Sequence, residues 1–196
     1  MEQRRGWRAM DKRSLGACVT SKSEEFLSGL TMVSPARGGD AASAVPRSGW
    51  RAALHDTVVE TFSIMAGTTI TVSESSHLGA SPQVTGVVGI TGDFIAIFSL
   101  RRSMDFAVKV AAQMLGATID ERGWQETACD AVGEICNVIA GSFKARVGSG
   151  ETCKLTLPMV VMGGEYRIHS LGSKERIELH LLYENAPMWA ALEICM

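Results

Sequence analysis

Residues 130–143, DAVGEICNVIAGSF, decide the fold prediction because they combine a helical pattern with a line of polar side chains. At about 100° per residue, one narrow side of a helix through this stretch carries Glu126, Asp130, Glu134, Asn137 and Gly141, which we name the polar line. The opposite side carries Ala128, Val132, Ile135, Cys136 and Ile139. Because burying successive carboxylates without cations is very costly, the pattern predicts a long helix whose polar line faces solvent or a partner.

A solvated surface is the ordinary explanation of such a line, and it remains the alternative here. Two features favour a docking face instead. Gly133 and Gly141 each cost about 1 kcal/mol relative to alanine in a helix interior, and a merely solvated surface gains nothing from them. Close approach by another molecule or helix would explain both glycines. Asn137 is also a poor helix former, and lysine or glutamate would be more favourable there if the surface only contacted solvent.

The rest of the chain alternates between helical and strand patterns. A first amphipathic helix begins at Trp50 and is closed by Gly67, and a second is capped by Ser103 and ends at Gly116. Strand patterns lie at 68–75, at 83–100 with a turn at Gly92, and at 154–164, 166–171 and 176–183. Residues 186–196 fit a helix or a strand. The apolar residues 94–100 predict a central strand.

These elements form an internal repeat of helix, three strands and helix, followed by helix, three strands and a terminal segment. The first helix places Asp56, Glu60, Ser63 and Gly67 at the same spacing as Asp130, Glu134, Asn137 and Gly141 in the later one. The predicted fold is therefore an α/β domain with pseudo-twofold internal repetition. In it, long helices pack on a central, mainly antiparallel sheet.

Composition places this domain after a tail. Residues 1–49 are rich in Arg, Ser, Gly and Ala and are predicted to be a flexible N-terminal tail, whereas residues 50–196 form the domain. The tail's apolar segment 26–33, FLSGLTMV, is interpreted as a transient turn or docking segment. A formal charge of −2 without a basic stripe argues against nucleic-acid binding. With no signal-peptide pattern and no run of about 18 apolar residues, we predict a cytoplasmic protein that does not cross a membrane.

Neither the cysteines nor the histidines predict a metal site. The five cysteines are scattered without a CxxC pair, so we expect reduced, packing residues: Cys18, Cys129, Cys136, Cys153 and Cys195. The four histidines show no paired ligand spacing and are expected to be ordinary surface or strand residues: His55, His77, His169 and His180.

The spacing of Asp130, Glu134 and Asn137 resembles the signature of the CheC, CheX and FliY phosphatases, which dephosphorylate the chemotaxis response regulator CheY. The flanking segments 86–100, 133–145 and 155–164, GVVGITGDFIAIFSL, GEICNVIAGSFKA and LTLPMVVMGG, resemble the family in the same order. The resemblance covers roughly residues 50–183. One intact motif is similar to CheX, because CheC-type members usually carry two. Asp56, Glu60 and Ser63 then form a degenerate second motif.

The resemblance implies a phosphatase acting on the aspartyl phosphate of a CheY-like receiver domain. In this reading Asn137 positions the attacking water and Glu134 pairs with the receiver's lysine. Asp130 is either a direct contact or a positioning charge, and Glu126, Gly133 and Gly141 line the partner side. The chain needs no cofactor, because Mg²⁺ is expected in the receiver. A homodimer is expected. The alternatives are a non-catalytic module that binds a receiver or a chemotaxis adaptor, and a structural protein of the flagellar switch.

Overall fold

A computed structural model describes residues 45–73, 83–116, 123–163 and 172–195, and within them an antiparallel sheet is covered by three helices. The helices are α1 (Trp50–Ala66), α2 (Met104–Leu115) and α3 (Trp124–Arg146), and a short 3₁₀ helix, Arg47–Gly49, precedes α1. The strands are β1 (Ile70–Val72), β2 (Val84–Thr91), β3 (Ile95–Arg102), β4 (Lys154–Leu155), β5 (Met159–Met162), β6 (Ser173–Tyr183) and β7 (Ala186–Cys195).

The described sheet has seven strands in the order β1-β6-β7-β3-β2-β4, and β5 also pairs with β2. All pairings are antiparallel, and β3 lies centrally, with Phe98 opposite Val88 of β2 and Leu192 of β7. The central position of β3 confirms the prediction from its apolar sequence. With β5 taken in place of β4 beside β2, the order is β1-β6-β7-β3-β2-β5. This order is unchanged when β1, β2 and β3 are exchanged with β5, β6 and β7 and the list is reversed. A duplicated unit would give this order, and the duplication itself stays a prediction.

The helix boundaries follow local capping chemistry. α1 and α2 each end at a glycine in the left-handed conformation, Gly67 with φ 61° and Gly116 with φ 62°, where residues with a Cβ are disfavoured. The hydroxyl of Ser103 accepts a hydrogen bond from the backbone N–H of Phe106, which caps α2. All three boundaries were predicted from the sequence.

One close contact fixes how α3 lies on the sheet. Gly86 of β2 is buried beneath α3, and a Cβ added there would lie 2.9 Å from Cγ1 of Val132 and closer still to Sγ of Cys136. Val132, Ile135, Cys136 and Ile139 are all buried in this contact layer, as predicted. The apolar side of α3 therefore rests on β2, and the polar line is turned away from the sheet.

Several boundaries differ from the sequence prediction. The ambiguous C-terminal segment is strand β7, because its alternating positions Met188, Ala190 and Leu192 enter the core. The segment predicted as one strand at 154–164 is divided into β4 and β5 by residues 156–158. Residues 45–49, predicted to be tail, pack on the domain, and Trp50 Nε1 donates to the carbonyl of Val45 at 3.1 Å. The strand predicted at 166–171 and tail residues 1–44 lie outside the described residues.

Candidate functional site

The polar line occupies the side of α3 that the sheet leaves uncovered. Glu126 and Asp130 are exposed, whereas Glu134, Asn137 and Gly141 are half-buried. The residues are therefore brought to one helix face, with the carboxylate of Glu134 and the carboxamide of Asn137 about one turn apart. The predicted division of α3 into a core side and a polar side is confirmed.

Glu134 and Asn137 have no polar partner within the part of the chain that the structure describes: neither side chain makes a hydrogen bond or an ion pair there. Asp130 is not part of this unpaired set. A half-buried carboxylate and carboxamide without intramolecular partners retain their full capacity to bind a partner molecule or a water. The centre of the site is therefore the pair Glu134 and Asn137.

The corresponding acidic residues of α1, Asp56 and Glu60, lie close to a cationic side chain. Arg146, in the last turn of α3, forms an ion pair with Glu60, and its Nη1 lies 3.9 Å from Oδ2 of Asp56. Asp56 is also 3.1 Å from Nδ1 of His55. Ser63 is exposed at the end of this line. The acidic residues of the degenerate motif are thus already engaged by a cation of the same chain, unlike Glu134.

Gly133 is turned toward residues of this chain. It is buried, and a Cβ at this position would contact Cβ of Pro158 and Cγ2 of Val160, each at 3.6 Å. Pro158 precedes β5 and Val160 belongs to it, and both lie at ordinary contact distance, so the assignment of Gly133 to the partner-binding set stays a prediction. Gly141 faces β4, because its Cβ would lie 3.8 Å from Cδ1 of Leu155.

Sequence reasoning missed two residues beside the site, Arg146 and Leu157. Arg146 engages Glu60, 86 positions away in the chain, and no local pattern reveals such a pairing. Leu157 was assigned to a regular strand, where a leucine would be buried on one face, yet it is 82% exposed. The following proline was the available signal, because proline lacks a backbone donor and interrupts strand pairing.

The described residues contain neither a metal site nor a membrane-spanning helix. No group of three or more His, Cys, Asp or Glu side chains that could hold a metal ion occurs among them. Burial raises the pKa of the Cys136 thiol on the sheet-facing side of α3, which keeps the thiol protonated and unreactive. No helix within residues 45–73, 83–116, 123–163 or 172–195 is long and apolar enough to cross a membrane.

The arrangement suits chemistry that depends on positioning. The Asn137 carboxamide supplies both a donor and an acceptor, so it can orient one water molecule. Glu134, one turn earlier, can bind a cation at a partner's surface. Phosphoryl transfer depends mainly on alignment and electrostatics, and a helix that presents these two groups to a phosphorylated partner could provide both.

Comparison with known proteins identifies the family. Residues 84–182 match the family described as "Chemotaxis phosphatase CheX". The chain is 30% identical over 120 residues to the "CheY-P phosphatase CheX" of Thermotoga maritima, and the match covers 56% of this chain and 77% of that protein.

Solved structures share the fold. The CheX crystal structure from Desulfovibrio desulfuricans is 25% identical with a TM-score of 0.63, and the match covers 74% of this chain and 98% of that one. A CheX in a complex with CheY, BeF₃ and Mg²⁺ from Borrelia burgdorferi is 17% identical with a TM-score of 0.61, covering 75% of this chain and 98% of that one.

Proposed function

We propose, because this chain belongs to the CheX family of chemotaxis phosphatases, that it hydrolyses the aspartyl phosphate of a CheY-like response regulator. The name of its Thermotoga maritima relative, CheY-P phosphatase, supports the reaction. One structural observation carries the choice of site: among the described residues Glu134 and Asn137 of α3 have no polar partner, whereas Glu60 of α1 is paired with Arg146.

Asn137 is proposed to position the attacking water. When α3 docks on the phosphorylated receiver, the carboxamide would hold a water in line with the phosphorus, accepting one of its hydrogens through the amide oxygen. The phosphoryl group and its leaving carboxylate belong to the receiver, so this chain contributes alignment and not a nucleophile of its own. No residue of this chain needs to form a covalent intermediate.

Glu134 is proposed to fix the register of docking by pairing with the lysine of the receiver's active site. Its carboxylate is half-buried, so a cation that meets it is partly shielded from solvent and the pair is stronger than an exposed one. Asp130 and Glu126 continue the negative charge along α3 and would steer a basic surface toward the helix. We propose that Mg²⁺ is supplied by the receiver and that this chain carries no cofactor.

The assembly proposed is a homodimer. In the described sheet order β1 lies at one end, and β4 and β5 lie at the other end beside β2. The ends of a sheet are where a second chain can add its own strands. Sedimentation at micromolar concentration would show a single species of twice the chain mass, and a monomer would refute the proposal. A receiver partner would place the protein in the cytoplasm.

The direct test of the activity uses purified full-length protein and the receiver domains encoded in its own genome. Each receiver is phosphorylated with acetyl phosphate, freed of the donor, and followed for loss of phosphate with and without the protein. Accelerated loss with at least one chemotaxis receiver is the expected result. Binding without acceleration would favour the alternative, a non-catalytic receiver-binding module that uses the same face of α3.

A further inference from the structure

Residues 155–159, which run from the end of β4 to the start of β5, form a segment that lies alongside the polar line. Leu155 lies opposite Gly141 at 3.8 Å, and Pro158 lies opposite Gly133 at 3.6 Å, both measured to the Cβ position of the glycine. Asn137 lies midway between the two glycines on α3, about one turn from each. The segment therefore passes beside Asn137, and a molecule that covers Asn137 also meets the outer side of this segment.

Three consecutive residues of this segment, Leu157, Pro158 and Met159, form what we name the apolar shoulder. All three are exposed; Leu157 is 82% exposed and Met159 is 57% exposed. Large apolar side chains that are exposed together are unfavourable in water and mark interaction surfaces. The Leu157 side chain is almost fully exposed, although Thr156 before it and Pro158 after it both contact the domain.

The shoulder is held in place before any partner arrives. Thr156 bonds to Gly89 of β2 twice: its backbone N–H donates to the Gly89 carbonyl at 2.9 Å, and its Oγ1 accepts from the Gly89 N–H at 2.9 Å. Pro158 has a fixed φ and packs at Gly133, and it restricts the preceding Leu157 to extended conformations. Little conformational entropy remains to be lost on binding at this position.

From this placement we infer that the apolar shoulder is a second contact of the docking surface, and that Leu157 packs against an apolar patch of the receiver beside its phosphorylation site. The inference rests on the proposed function, because it takes the receiver as the molecule that covers Asn137. The receiver is favoured over a second copy of this chain by continuity, since the shoulder packs directly on the helix that carries Glu134 and Asn137. Asn137 would then position the water that attacks the phosphate, and Leu157 would contribute affinity for the receiver.

The test compares Leu157→Ser with Ile64→Ser in the full chain. Ile64 is the matched control, because it is 83% exposed but lies on α1. Phosphate release is measured with the phosphorylated receiver, and affinity with the same receiver activated by beryllofluoride. Since burial of a leucine changes affinity by about tenfold or more, Leu157→Ser should raise both KM and Kd by about tenfold with kcat unchanged. Ile64→Ser should change none of them.

The remaining outcomes separate the two proposals. If the wild type binds the receiver without hydrolysing its phosphate and Leu157→Ser weakens that binding, the phosphatase proposal fails and the shoulder inference stands. If both variants bind and turn over like the wild type, the inference is overturned while the phosphatase proposal stands. If Leu157→Ser leaves KM and Kd unchanged but shifts the sedimentation to a smaller species, the shoulder binds a second copy and the inference is wrong. If the wild type neither binds nor hydrolyses any receiver, both proposals fall.

Discussion

Gly86→Ala, a substitution on β2, should displace α3, the helix proposed to carry the catalytic residues. The new Cβ would lie 2.9 Å from Cγ1 of Val132 and closer still to Sγ of Cys136, whereas ordinary contacts begin at 3.4 Å. Unless these two side chains rotate away, α3 must retreat by at least about 0.5 Å or β2 must bend. Overpacking of this kind lowers the free energy of unfolding by roughly 1–3 kcal/mol. Replacing glycine by alanine also reduces the conformational entropy of the unfolded chain, which offsets about 0.4–1 kcal/mol of this loss. We therefore expect the free energy of unfolding to fall by about 1–2 kcal/mol.

The same displacement should reduce activity. Asn137 follows Cys136 on the helix, so a shift of α3 by half an ångström misplaces the carboxamide relative to a docked receiver. Since a 1 Å misplacement can cost about a hundredfold in rate, roughly tenfold is expected here. Urea unfolding followed by circular dichroism measures the stability change, and phosphate release from the receiver measures the rate.

Two variants control for the nature of the substitution. Gly133→Ala places its Cβ at ordinary contact distance from Pro158 and Val160, so it should stabilise α3 by about 0.5–1 kcal/mol and leave the rate unchanged. Cys136→Ala removes the sulfur nearest to the new methyl group. The loss in free energy of unfolding of the double variant Gly86→Ala/Cys136→Ala should therefore be smaller, by about 1 kcal/mol, than the sum of the losses of the two single variants. Wild-type stability and rate in Gly86→Ala would refute the packing argument.

Three further substitutions test other parts of the account. Glu134→Lys should raise KM for the phosphorylated receiver by at least about tenfold through like-charge repulsion, and Glu134→Gln by less; equal KM values would mean that α3 does not face the receiver. Ser63→Ala should leave turnover unchanged within assay error, and a loss as large as that of Asn137→Ala would show that α1 is the active helix. Arg102→Met should raise the free energy of unfolding by about 1–3 kcal/mol, because Nε and Nη2 of this buried guanidinium have no hydrogen-bond partner in the described part of the chain and burial lowers its pKa to about 9. The gain should be largest below pH 9 and shrink as the pH rises further, since above pH 9 the unfolded chain binds more protons than the folded one; a gain independent of pH would contradict this origin.

The helices and most strands could be predicted because their signals are local. The capping residues Ser103, Gly67 and Gly116 act within one helix end, and the apolar side of α3 follows from its 3.6-residue period. The central position of β3 followed from its apolar composition alone. The polar line follows from the same helical period, so the sequence alone places Glu134 and Asn137 on one face of the helix.

The parts that could not be predicted depend on contacts between distant residues. A glycine in a helix does not identify what lies beside it, and beside Gly133 this is Pro158 of the same chain, at ordinary contact distance. The engagement of Glu60 by Arg146 likewise depends on how α1 and α3 pack. The terminal segment was ambiguous because Ala, Met and Leu are strong helix formers, and pairing with β3 and β6 overrides that preference.

The central claim is that Asn137 positions the water that attacks the receiver's phosphate, and one comparison tests it most directly. Phosphate release from the phosphorylated receiver is measured for the wild type and for Asn137→Ala at saturating receiver, with circular dichroism and urea unfolding to establish that the fold is intact. The half-buried carboxamide makes no hydrogen bond within the described chain, so its removal should leave stability unchanged. The account predicts that kcat falls by about a hundredfold, as for loss of one positioned polar group at a transition state. Turnover close to that of the wild type in Asn137→Ala would contradict it.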